Sequence, residues 1–540
     1  MLIASPERQG ALPRLAESAV APPSGDFARL ADALGDPRCY PHPVERVERI
    51  ETHISLVLLA GDYAYKLKKP VRLPFLDFTD PAARHRFCLE ELRLNRRTAP
   101  GIYLDVVAIA GPAEAPRIGG GGPVLEHAVR MRRFPQEALA SRLAARGAFG
   151  APLAEALADR VAAFHDGAAR LPPGSALATS ARVAAAALDN FREIAELGIE
   201  DDDGDLRHLE DWSRLEAARL GAILSRRRDS GFVRECHGDL HLGNVVVLEG
   251  APVAFDGIEF SPGWRWIDVM SDVAFASMDF AAHGCDRAGA RFVNRYLEST
   301  GDYEGLDTLP FFEVYRALVR AKVAAIRAAQ PGVPDRERVD ARAAFGRYLA
   351  LARRLARPGT RALVLMHGLS GSGKTVASTH LVEALGAIRI RSDIERKRLR
   401  GLEGNARTGS PLGGGAYTAE ATLATYGHLL ALARRVLDAG RPVVVDATFL
   451  RRRDRAAFQA LAEAEGAAFR IVWCAAPDET LRARVVAREG GGADASEAGI
   501  AVLDAQIAGL EPLDASERVH ATLVDTTSEV QLRRLSSSPW

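Results

Sequence analysis

The stretch ALVLMHGLSGSGKT, residues 362–375, joins a short apolar run to a glycine-rich turn that ends in a lysine and a threonine. From Gly368 to Thr375 it fits the pattern G-x-x-x-x-G-K-[ST], with a predicted strand before the turn and a predicted helix after it. Glycines let several backbone N–H groups turn toward one anion, and the N-terminus of the following helix adds positive potential. The stretch therefore predicts a phosphate-binding loop.

The residues of this loop have separate expected roles. We expect Lys374 to reach the β- and γ-phosphates of ATP and Thr375 to bind Mg²⁺. A plain glycine-rich turn between strand and helix is the alternative, but the full pattern in this context favours nucleotide binding. The remaining expected nucleotide contacts come from the loop itself: Gly368, Ser370, Gly371, Ser372 and Gly373.

Beyond the loop, strand and helix patterns alternate, which is typical of a parallel α/β sheet. Asp446 ends the predicted strand PVVVD, and the carboxyl ends of parallel strands lie on the ligand-binding side, so we expect it to hold Mg²⁺. Asp393 follows the predicted strand in AIRIRSD and could accept the proton of an attacking hydroxyl. The alternative for Ser392 or Asp393 is a helix N-cap.

Two arginines precede a second glycine-rich stretch in this half. Arg484 and Arg488 lie four residues apart on a predicted helix and therefore share a face. They could clamp phosphates as a lid. A solvated arginine face is at least as common for such a pair, so both interpretations stay open.

A second polar stretch, HGDLHLGN at residues 237–244, lies between two valine-rich runs. Asp239 is followed five residues later by Asn244, and Asp256 comes at the end of the next predicted strand. This spacing matches the protein-kinase template, in which the first Asp acts on the acceptor hydroxyl and the other two residues hold metal. A simple polar turn is the alternative. We expect His241 to support the loop and His237 to pack against its backbone.

Such a site also needs a lysine on a strand and a glutamate on a helix to hold it. In YAYKLKK, Lys66 and Lys68 share one face of the predicted strand, and Lys69 points the other way. We favour Lys66. The helix CLEELRLN supplies Glu91, with Glu90 as the alternative. A solvated edge strand would also explain the lysines.

Composition restricts the remaining possibilities. The chain has 540 residues, which is long enough for two or three domains, and its 70 basic residues balance 70 acidic ones. Five scattered cysteines without a C-x-x-C pair give no metal or disulfide framework. No run of about 18 uncharged apolar residues occurs, and the N-terminus lacks a signal-peptide core. We therefore expect a cytoplasmic protein without membrane contact and leave its oligomeric state open.

The pair Pro358-Gly359 marks a change of pattern, from helices before it to alternating strands and helices after it. The sequence thus predicts a disordered tail at 1–26, one domain at 27–357 and a second domain at 358–540. The two domains are expected to be separable.

The C-terminal half resembles small P-loop kinases of the AAA_33 type over about residues 362 to 526. The resemblance rests on GLSGSGKT, RSDIERKRL, VVVDATF and LRARVVARE. It implies an α/β P-loop NTPase domain with a parallel sheet, and it implies that Asp393 acts as the general base.

The N-terminal half resembles the aminoglycoside phosphotransferase (APH)-like kinases over about residues 45 to 340. AYKLKKP, CLEELRLN, HGDLHLGN and FDGIEF carry the resemblance. It implies an α+β, protein-kinase-like bilobal domain in which Lys66, Asp239, Asn244 and Asp256 have the family roles. Asp268 and Asp272 are expected to brace the loop.

One departure from protein kinases is informative. LLAGDY, before the lysine strand, has a single glycine where protein kinases have G-x-G-x-x-G. This agrees with the small-molecule branch of the superfamily. The order of the halves resembles proteins labelled bifunctional aminoglycoside phosphotransferase/ATP-binding protein, a label that describes fold rather than substrate.

The favoured function is an ATP-dependent phosphotransferase with two kinase-type heads, each using Mg²⁺ and a small-molecule hydroxyl acceptor. One alternative is a nucleotide-gated regulatory protein with an inactive head. Another is polynucleotide or RNA 5′-hydroxyl kinase activity in the C-terminal head, with RSDIERKRLR and LRRRDR as backbone contacts. The zero net charge counts against a nucleic-acid partner, and the acceptor of either head stays open.

Overall fold

The computed structural model describes residues 25–73, 76–199, 204–402, 418–491 and 498–536. Most of the predicted tail, residues 1–24, therefore lies outside the described residues. The strands are β1 Val47–Glu51, β2 Ser55–Ala60, β3 Tyr63–Lys68, β4 Arg72–Leu73, β5 Leu76–Asp77, β6 Tyr103–Ala110, β7 Arg117–Ile118, β8 Val124–Arg132, β9 Val233–Glu235, β10 Val245–Leu248, β11 Ala251–Ala254, β12 Trp266–Asp268, β13 Ala362–His367, β14 Ile388–Arg391, β15 Val443–Asp446, β16 Ala468–Ala475 and β17 Ala521–Asp525.

The α-helices connect and cover these strands. They are α1 Gly25–Ala33, α2 Pro81–Asn95, α3 Ala140–Ala145, α4 Ala151–Gly167, α5 Ser180–Glu196, α6 Asp205–Asp229, α7 Pro262–Arg265, α8 Val269–Ala282, α9 Asp286–Thr300, α10 Leu309–Ala329, α11 Asp335–Leu355, α12 Lys374–Leu385, α13 Ser392–Arg398, α14 Ala419–Asp438, α15 Arg452–Ala464, α16 Asp478–Gly491, α17 Ile500–Ala508, α18 Ala515–Arg518 and α19 Glu529–Arg534. Within the described part of the chain, no helix is both long and apolar enough to span a bilayer.

The chain divides into two compact units that are not continuous in sequence. The first unit takes the chain up to Leu143, then Gly167–Phe275 and Phe311–Arg354. The second takes Ala144–Asp166, Ala276–Pro310 and everything from Leu355 onward. The change of pattern at 355–361 thus coincides with the last crossing between units, and two stretches inside the predicted domain 27–357 belong to the second unit. That the chain can be cut at 357 into two folded fragments stays a prediction.

The first unit contains an antiparallel sheet of six strands in the order β1-β2-β3-β8-β6-β7. β2 and β3 form a hairpin, whose turn uses Gly61 at a φ of 57°. Helix α2 begins at Pro81 after the N-cap Asp80, whose carboxylate accepts hydrogen bonds from two backbone N–H groups of the first turn. α2 packs against β8, which places Glu91 of α2 below the lysines of β3.

A second hairpin of this unit carries the polar loop. β10 and β11 are antiparallel around Glu249 and Gly250, and the 237–244 loop leads directly into β10. The prediction that Asp256 ends a strand is wrong by two residues, since β11 ends at Ala254. Asp256 instead adopts a φ of 63°, so the backbone leaves extended geometry at this residue.

The second unit contains a parallel sheet of five strands in the order β14-β15-β13-β16-β17. The sequence predicts the first four. β17 escapes prediction because only Val524 of its five residues is buried, and so it lacks the apolar run of the inner strands. The carboxyl ends of β13, β14 and β15 carry the phosphate-binding loop, Asp393 and Asp446 respectively.

The outer edge of β14 is covered by α9. The side-chain amide of Asn294 donates from Nδ2 to the carbonyl of Ala387 at 2.9 Å and accepts the N–H of Arg389 at 2.6 Å. One amide side chain thus takes the place of a peptide group on a neighbouring strand. It forms hydrogen bonds with a backbone carbonyl and a backbone N–H at the edge of the sheet that would otherwise lack partners. The helix is therefore part of the sheet's structure.

A buried ion pair reinforces this contact. Arg389 donates from Nε and Nη2 to the Glu298 carboxylate at 2.9 and 2.8 Å, and both residues are buried. Removing one partner of a buried pair typically costs about 3–5 kcal/mol. Segment 276–310 therefore contributes to the stability of the strand that leads to Asp393.

This contact yields a prediction for hydrogen–deuterium exchange of the full chain. Asn294→Ala removes the acceptor of the Arg389 N–H, and a lost hydrogen bond is worth about 1 kcal/mol, so exchange in β14 should rise about fivefold. Asn190→Ala is the matched control, because Asn190 is also buried and bonds to helix carbonyls in the first unit. Unchanged exchange at residues 387–391 in Asn294→Ala would contradict the role assigned to α9.

Candidate active sites

A cluster of buried charges lies between β3, α2 and the segment after β11. Lys66 Nζ lies 2.9 Å from Glu91 Oε1 and 2.5 Å from Asp256 Oδ1. Lys68 forms ion pairs with the other Glu91 oxygen and with Glu259. Burial alone would lower the pKa of Lys66, but Asp256 and Glu91 raise it well above its usual range. Both lysines therefore stay charged.

The cluster distinguishes between the alternatives left open by the sequence. Glu91 is fully buried and bridges both lysines, whereas Glu90 pairs with Arg93 and Arg265. The Lys68 side chain is completely enclosed. The Lys66 side chain keeps 12% exposure and is the lysine in contact with Asp256.

The 237–244 loop gathers its polar groups around Asp239. Asn244 Nδ2 donates to Asp239 Oδ2 at 2.9 Å and to the Asp239 carbonyl at 3.0 Å. His241 Nδ1 accepts the N–H of Gly243 at 3.0 Å, so its proton is on Nε2, which lies 3.5 Å from the Asp239 carboxylate. The spacing in HGDLHLGN thus brings Asp239, His241 and Asn244 into one group.

Residues outside the loop fix its backbone. Asp272 accepts the N–H groups of His237 and Gly238 at 2.7 and 2.9 Å, and Asp268 forms a two-point pair with buried Arg227. Asp272 thus braces the loop as expected, whereas the contacts of Asp268, with Arg227 and with the N–H of Met270, lie outside the loop. His237 Nε2 bonds the carbonyl of Phe255 at 3.0 Å, so this histidine packs against backbone as expected.

Two contacts that the sequence did not reveal hold Asp256. Its N–H donates to the Tyr103 hydroxyl at 3.1 Å, and the N–H of Gly257 donates to Asn95 Oδ1 at 2.7 Å. Both partners are buried and lie more than 150 residues away in sequence. They hold the positive φ of Asp256 and direct its carboxylate toward Lys66. Local spacing carries no signal for such partners.

The charge state of Asp239 follows from its neighbours. Burial would raise the pKa of this carboxyl, but its interaction with His241, together with the charge of Arg320, holds the pKa well below its usual range. Asp239 is therefore ionised at neutral pH, which is the state that can accept a hydroxyl hydrogen bond.

The depressed pKa of Asp239 predicts the pH profile of the first head. Above a depressed pKa a carboxylate stays ionised, so activity should not depend on its titration near neutral pH. In His241→Gln the interaction that lowers the Asp239 pKa most is lost, while the burial that raises this pKa remains. The Asp239 pKa should therefore rise, and the acid limb of the kcat/KM profile should move to higher pH. The profile is measured on ATP hydrolysis by the full chain carrying Lys374→Ala, which silences the second head. The exposed His208→Gln is the control; identical profiles in all three proteins would refute the assignment.

The glycine-rich loop of the second unit leaves no room for side chains. Gly368, Gly371 and Gly373 have φ values of 145°, 80° and 78°. A Cβ at Gly368 would lie 2.5 Å from the carbonyl oxygen of Cys474, and one at Gly371 would lie 2.6 Å from that of Leu481. Such positions tolerate only glycine. The cradle fits a bound phosphate chain, and the enclosed Ser372 Oγ, which has no hydrogen-bond partner among the described residues, is consistent with this fit.

Lys374 and the metal-type ligands meet inside this cradle. Lys374 Nζ donates to the carbonyls of Gly368 and Leu369 at 2.9 and 2.7 Å. Burial lowers the pKa of Lys374, and the charges of Asp446 and Asp393 oppose that shift. Thr375 Oγ1 lies 3.0 Å from Asp446 Oδ2. A hydroxyl and a carboxylate oxygen in contact are the donors that Mg²⁺ takes in nucleotide sites, so these residues fit the metal.

Asp393 lies one residue inside α13, and the N-cap position is Arg391, which makes no side-chain capping bond. The N-cap interpretation of Ser392 or Asp393 is therefore wrong. The Asp393 carboxylate accepts from Arg396 at 3.2 Å and keeps 27% exposure. Arg391, two residues before it, is paired in register with Asp446, so Asp393 lies at the same edge of the sheet.

The predicted arginine pair has two different sets of contacts. Arg484 donates to the Gly371 carbonyl at 3.2 Å and to the hydroxyl and carbonyl of Thr526 at 3.0 and 3.1 Å. Arg488 donates to the carbonyl of Ala498 at 2.9 Å. Arg484 therefore supports the phosphate-binding loop from outside. A lid role for either arginine stays a prediction.

The contact of α17 with the loop has no signal in the sequence. Gln506 Oε1 accepts the N–H of Ser370 at 2.8 Å, and Leu503 of the same helix packs in a cluster with Leu481 and Val485. The Gln506 side chain thus accepts the hydrogen bond of a backbone N–H group in the phosphate-binding loop.

These folds and sites define a chain with two kinase-type domains. A model of the phosphotransferase enzyme family matches residues 78–312, and a model of the AAA domain, AAA_33, matches residues 363–513. The expected order, an APH-type domain followed by a P-loop kinase domain, is confirmed. The protein is a kinase-type phosphotransferase.

Two relatives match most of the chain. The chain is 32% identical over 473 residues to Uncharacterized protein Rv2004c of Mycobacterium tuberculosis (strain ATCC 25618 / H37Rv), which covers 85% of this chain and 91% of the relative. The same values hold for Uncharacterized protein Mb2027c of Mycobacterium bovis (strain ATCC BAA-935 / AF2122/97). The chain belongs to the family of these proteins.

Several solved kinase structures are similar to portions of the chain. A gluconokinase from Sinorhizobium meliloti 1021 is 22% identical, with a TM-score of 0.23, and the match covers 33% of this chain and 89% of that one. A sugar kinase from Janibacter sp. HTCC2649 is 24% identical, with a TM-score of 0.25, over 33% and 91%. Plasmodium vivax ethanolamine kinase is 12% identical, with a TM-score of 0.36, over 58% and 82%.

Proposed function

We propose that the protein is an ATP-dependent phosphotransferase with two heads, each of which transfers a γ-phosphoryl group to a hydroxyl of a small molecule. One observation carries the proposal: each unit holds a partly buried lysine, oxygen ligands suited to Mg²⁺ and a further carboxylate in one site. Bound Mg-ATP would supply the phosphoryl group and the metal charge that offsets its oxygens.

In the first head, Asp239 accepts the proton of the acceptor hydroxyl as the new O–P bond forms. Its depressed pKa favours orientation of that hydroxyl over complete proton removal before attack. Asn244 and Asp256 are the metal-holding residues, and Lys66, held by Glu91, is the phosphate-binding cation. Its position beside Asp256 supports this, since both groups would face the same phosphates.

In the second head, the loop amides and Lys374 bind the phosphates, while Thr375 and Asp446 hold the metal. Asp393 pairs with Arg396 rather than with the metal-type ligands and remains partly exposed, which suits a group that accepts the acceptor's proton. The Gln506 side chain has to leave Ser370 before phosphate can use that amide.

The polynucleotide alternative receives less support from the contacts of its basic runs. In the first run Arg396 pairs with Asp393 and Arg398 pairs with Glu395. In the second run Arg452 pairs with Asp514. Charges already met by carboxylates are less available for phosphate backbones, so a small-molecule acceptor is favoured.

The proposal predicts different defects for two aspartates of the first head. In full chain carrying Lys374→Ala, Asp239→Asn should lower transfer from labelled ATP by at least about a hundredfold and leave Mg-ATP affinity within about twofold, since general-base loss costs about 10²–10⁴. Asp256→Asn should instead weaken Mg-ATP binding. Calorimetry and an acceptor screen measure the two effects.

The outcomes separate the alternatives. Asp211→Asn, on the surface of α6, is the matched control and should change neither quantity. A chain that binds Mg-ATP but transfers nothing to any acceptor, with Asp239 intact, would favour the regulatory protein. Loss of nucleotide in Asp239→Asn but not in Asp256→Asn would show that the roles are wrongly assigned.

A further inference from the structure

One arginine near the first head lacks the partner that every comparable arginine has. Among the described residues six arginines are buried, and five of them pair with a carboxylate. The pairs are Arg84 with Glu126, Arg227 with Asp268, Arg265 with Glu235, Arg389 with Glu298 and Arg455 with Glu517. The sixth, Arg316 of α10, is 5% exposed and has no carboxylate within ion-pair distance in the described part of the chain.

The contacts of Arg316 leave its charge unmatched. Nε and Nη2 donate to the Ser271 hydroxyl at 3.2 and 3.0 Å, and the guanidinium lies 4.8 Å from the Phe275 ring centroid and 5.2 Å from that of Tyr315. A hydroxyl and two ring faces orient a guanidinium but carry no negative charge. Nη1 donates to no described residue, and it is not among the fully enclosed atoms that lack a partner. A buried cation in this state is suited to an anion that comes from outside.

The position of Arg316 connects it to the reacting groups. The Phe275 ring that it contacts lies 5.4 Å from the ring of His241, and His241 Nε2 lies 3.5 Å from the Asp239 carboxylate. Arg320, one turn further along α10, acts on Asp239 through its charge and donates to the Tyr348 hydroxyl at 3.4 Å. Two arginines of α10 therefore lie near Asp239, one acting through its charge and one connected through Phe275 and His241.

We propose that the acceptor of the first head carries an anionic group, a phosphate monoester or a carboxylate, and that Arg316 pairs with it. This rests on the proposed function of the first head and adds the charge class of its substrate. A cation on this side also opposes polycationic acceptors such as aminoglycosides, because like charges in a partly buried site repel. Arg316 is then a specificity-determining residue, and the planar two-point geometry of its guanidinium suits both phosphate and carboxylate.

A matched acceptor series tests the charge class in full chain carrying Lys374→Ala. The series is glycerol, glycerate, glycerol 3-phosphate and 3-amino-1,2-propanediol, which share a three-carbon diol and differ in charge; an aminoglycoside is added. We expect glycerate or glycerol 3-phosphate to have the highest kcat/KM, and the better of the two identifies the anion. Arg316→Gln should lower that value at least tenfold and leave the value for glycerol unchanged. A preference for a cationic acceptor would overturn the proposal.

Anion binding supplies a readout that does not depend on turnover. Inorganic phosphate should slow hydrogen–deuterium exchange in peptides that cover α10 and the 237–244 loop. In Arg316→Gln, the phosphate concentration that gives half of the maximal protection should be about tenfold higher. The exposed Arg347→Gln is the matched control and should behave like the parent. If Arg316→Gln does not fold, phosphate protection is compared between Arg316→Lys and the parent. Arg316→Lys keeps the positive charge and should therefore keep the protection. Absence of protection in the parent, or equal protection in Arg316→Gln, would refute the proposal.

The acceptor series and the phosphate-protection experiment distinguish a failure of the anion site from a failure of the proposed transferase function. Phosphate protection that depends on Arg316, without transfer to any acceptor, would preserve the anion site and remove the proposed transferase function. Transfer that ignores acceptor charge and is unaffected by Arg316→Gln would preserve the transferase and remove the anion site.

Discussion

A charge taken out of water has to be met by an opposite charge or by hydrogen bonds, and this constraint shapes both heads of the chain. In the first unit two lysines share Glu91 beneath the sheet, and each has a second carboxylate, Asp256 or Glu259. In the second unit Lys374 has no carboxylate in contact among the described residues and is held by backbone carbonyls of its own loop. Both arrangements keep a cation fixed and partly buried, where a phosphate can replace or complement its present partners. Arg316 extends the same reasoning from the nucleotide to the acceptor.

The two units hold their site residues in place by different means, because these residues lie at one sheet edge in the second unit and on several separate elements in the first. In the second unit, parallel strands bring the glycine-rich loop, Asp393 and Asp446 to one edge, so the topology does most of the positioning. In the first unit the groups lie on a strand, a helix and two loops, and separate braces hold each of them. Asp272 fixes the 237–244 loop, and Tyr103 holds the backbone of Asp256. Substitutions at such braces should affect the first head more than equivalent changes affect the second.

Local patterns predicted those parts of the site whose geometry is set by nearby residues. The spacing in HGDLHLGN sufficed for Asp239 and Asn244, and the strand–turn–helix pattern sufficed for Lys374 and Thr375. The choice between Glu90 and Glu91 needed the structure, since adjacent residues of a helix point about 100° apart and only packing decides which one faces β3. Tyr103, Asn95, Glu259 and Gln506 come from distant segments and leave no periodic signal. The same is true of α9, which lies inside the range that matches the phosphotransferase family and yet completes the edge of the parallel sheet.

The central claim is that one chain holds two independent nucleotide sites, and the stoichiometry of nucleotide binding tests it most directly. Equilibrium dialysis of the full chain against a non-hydrolysable ATP analogue with Mg²⁺ should give two molecules bound per chain at saturation. Lys374→Ala and Asp256→Asn should each reduce this number to one, and the double variant should reduce it to zero. A control substitution at Lys322, whose ammonium group pairs with Glu193, should leave the number at two. A single site in the parent chain, abolished by either substitution, would contradict the account.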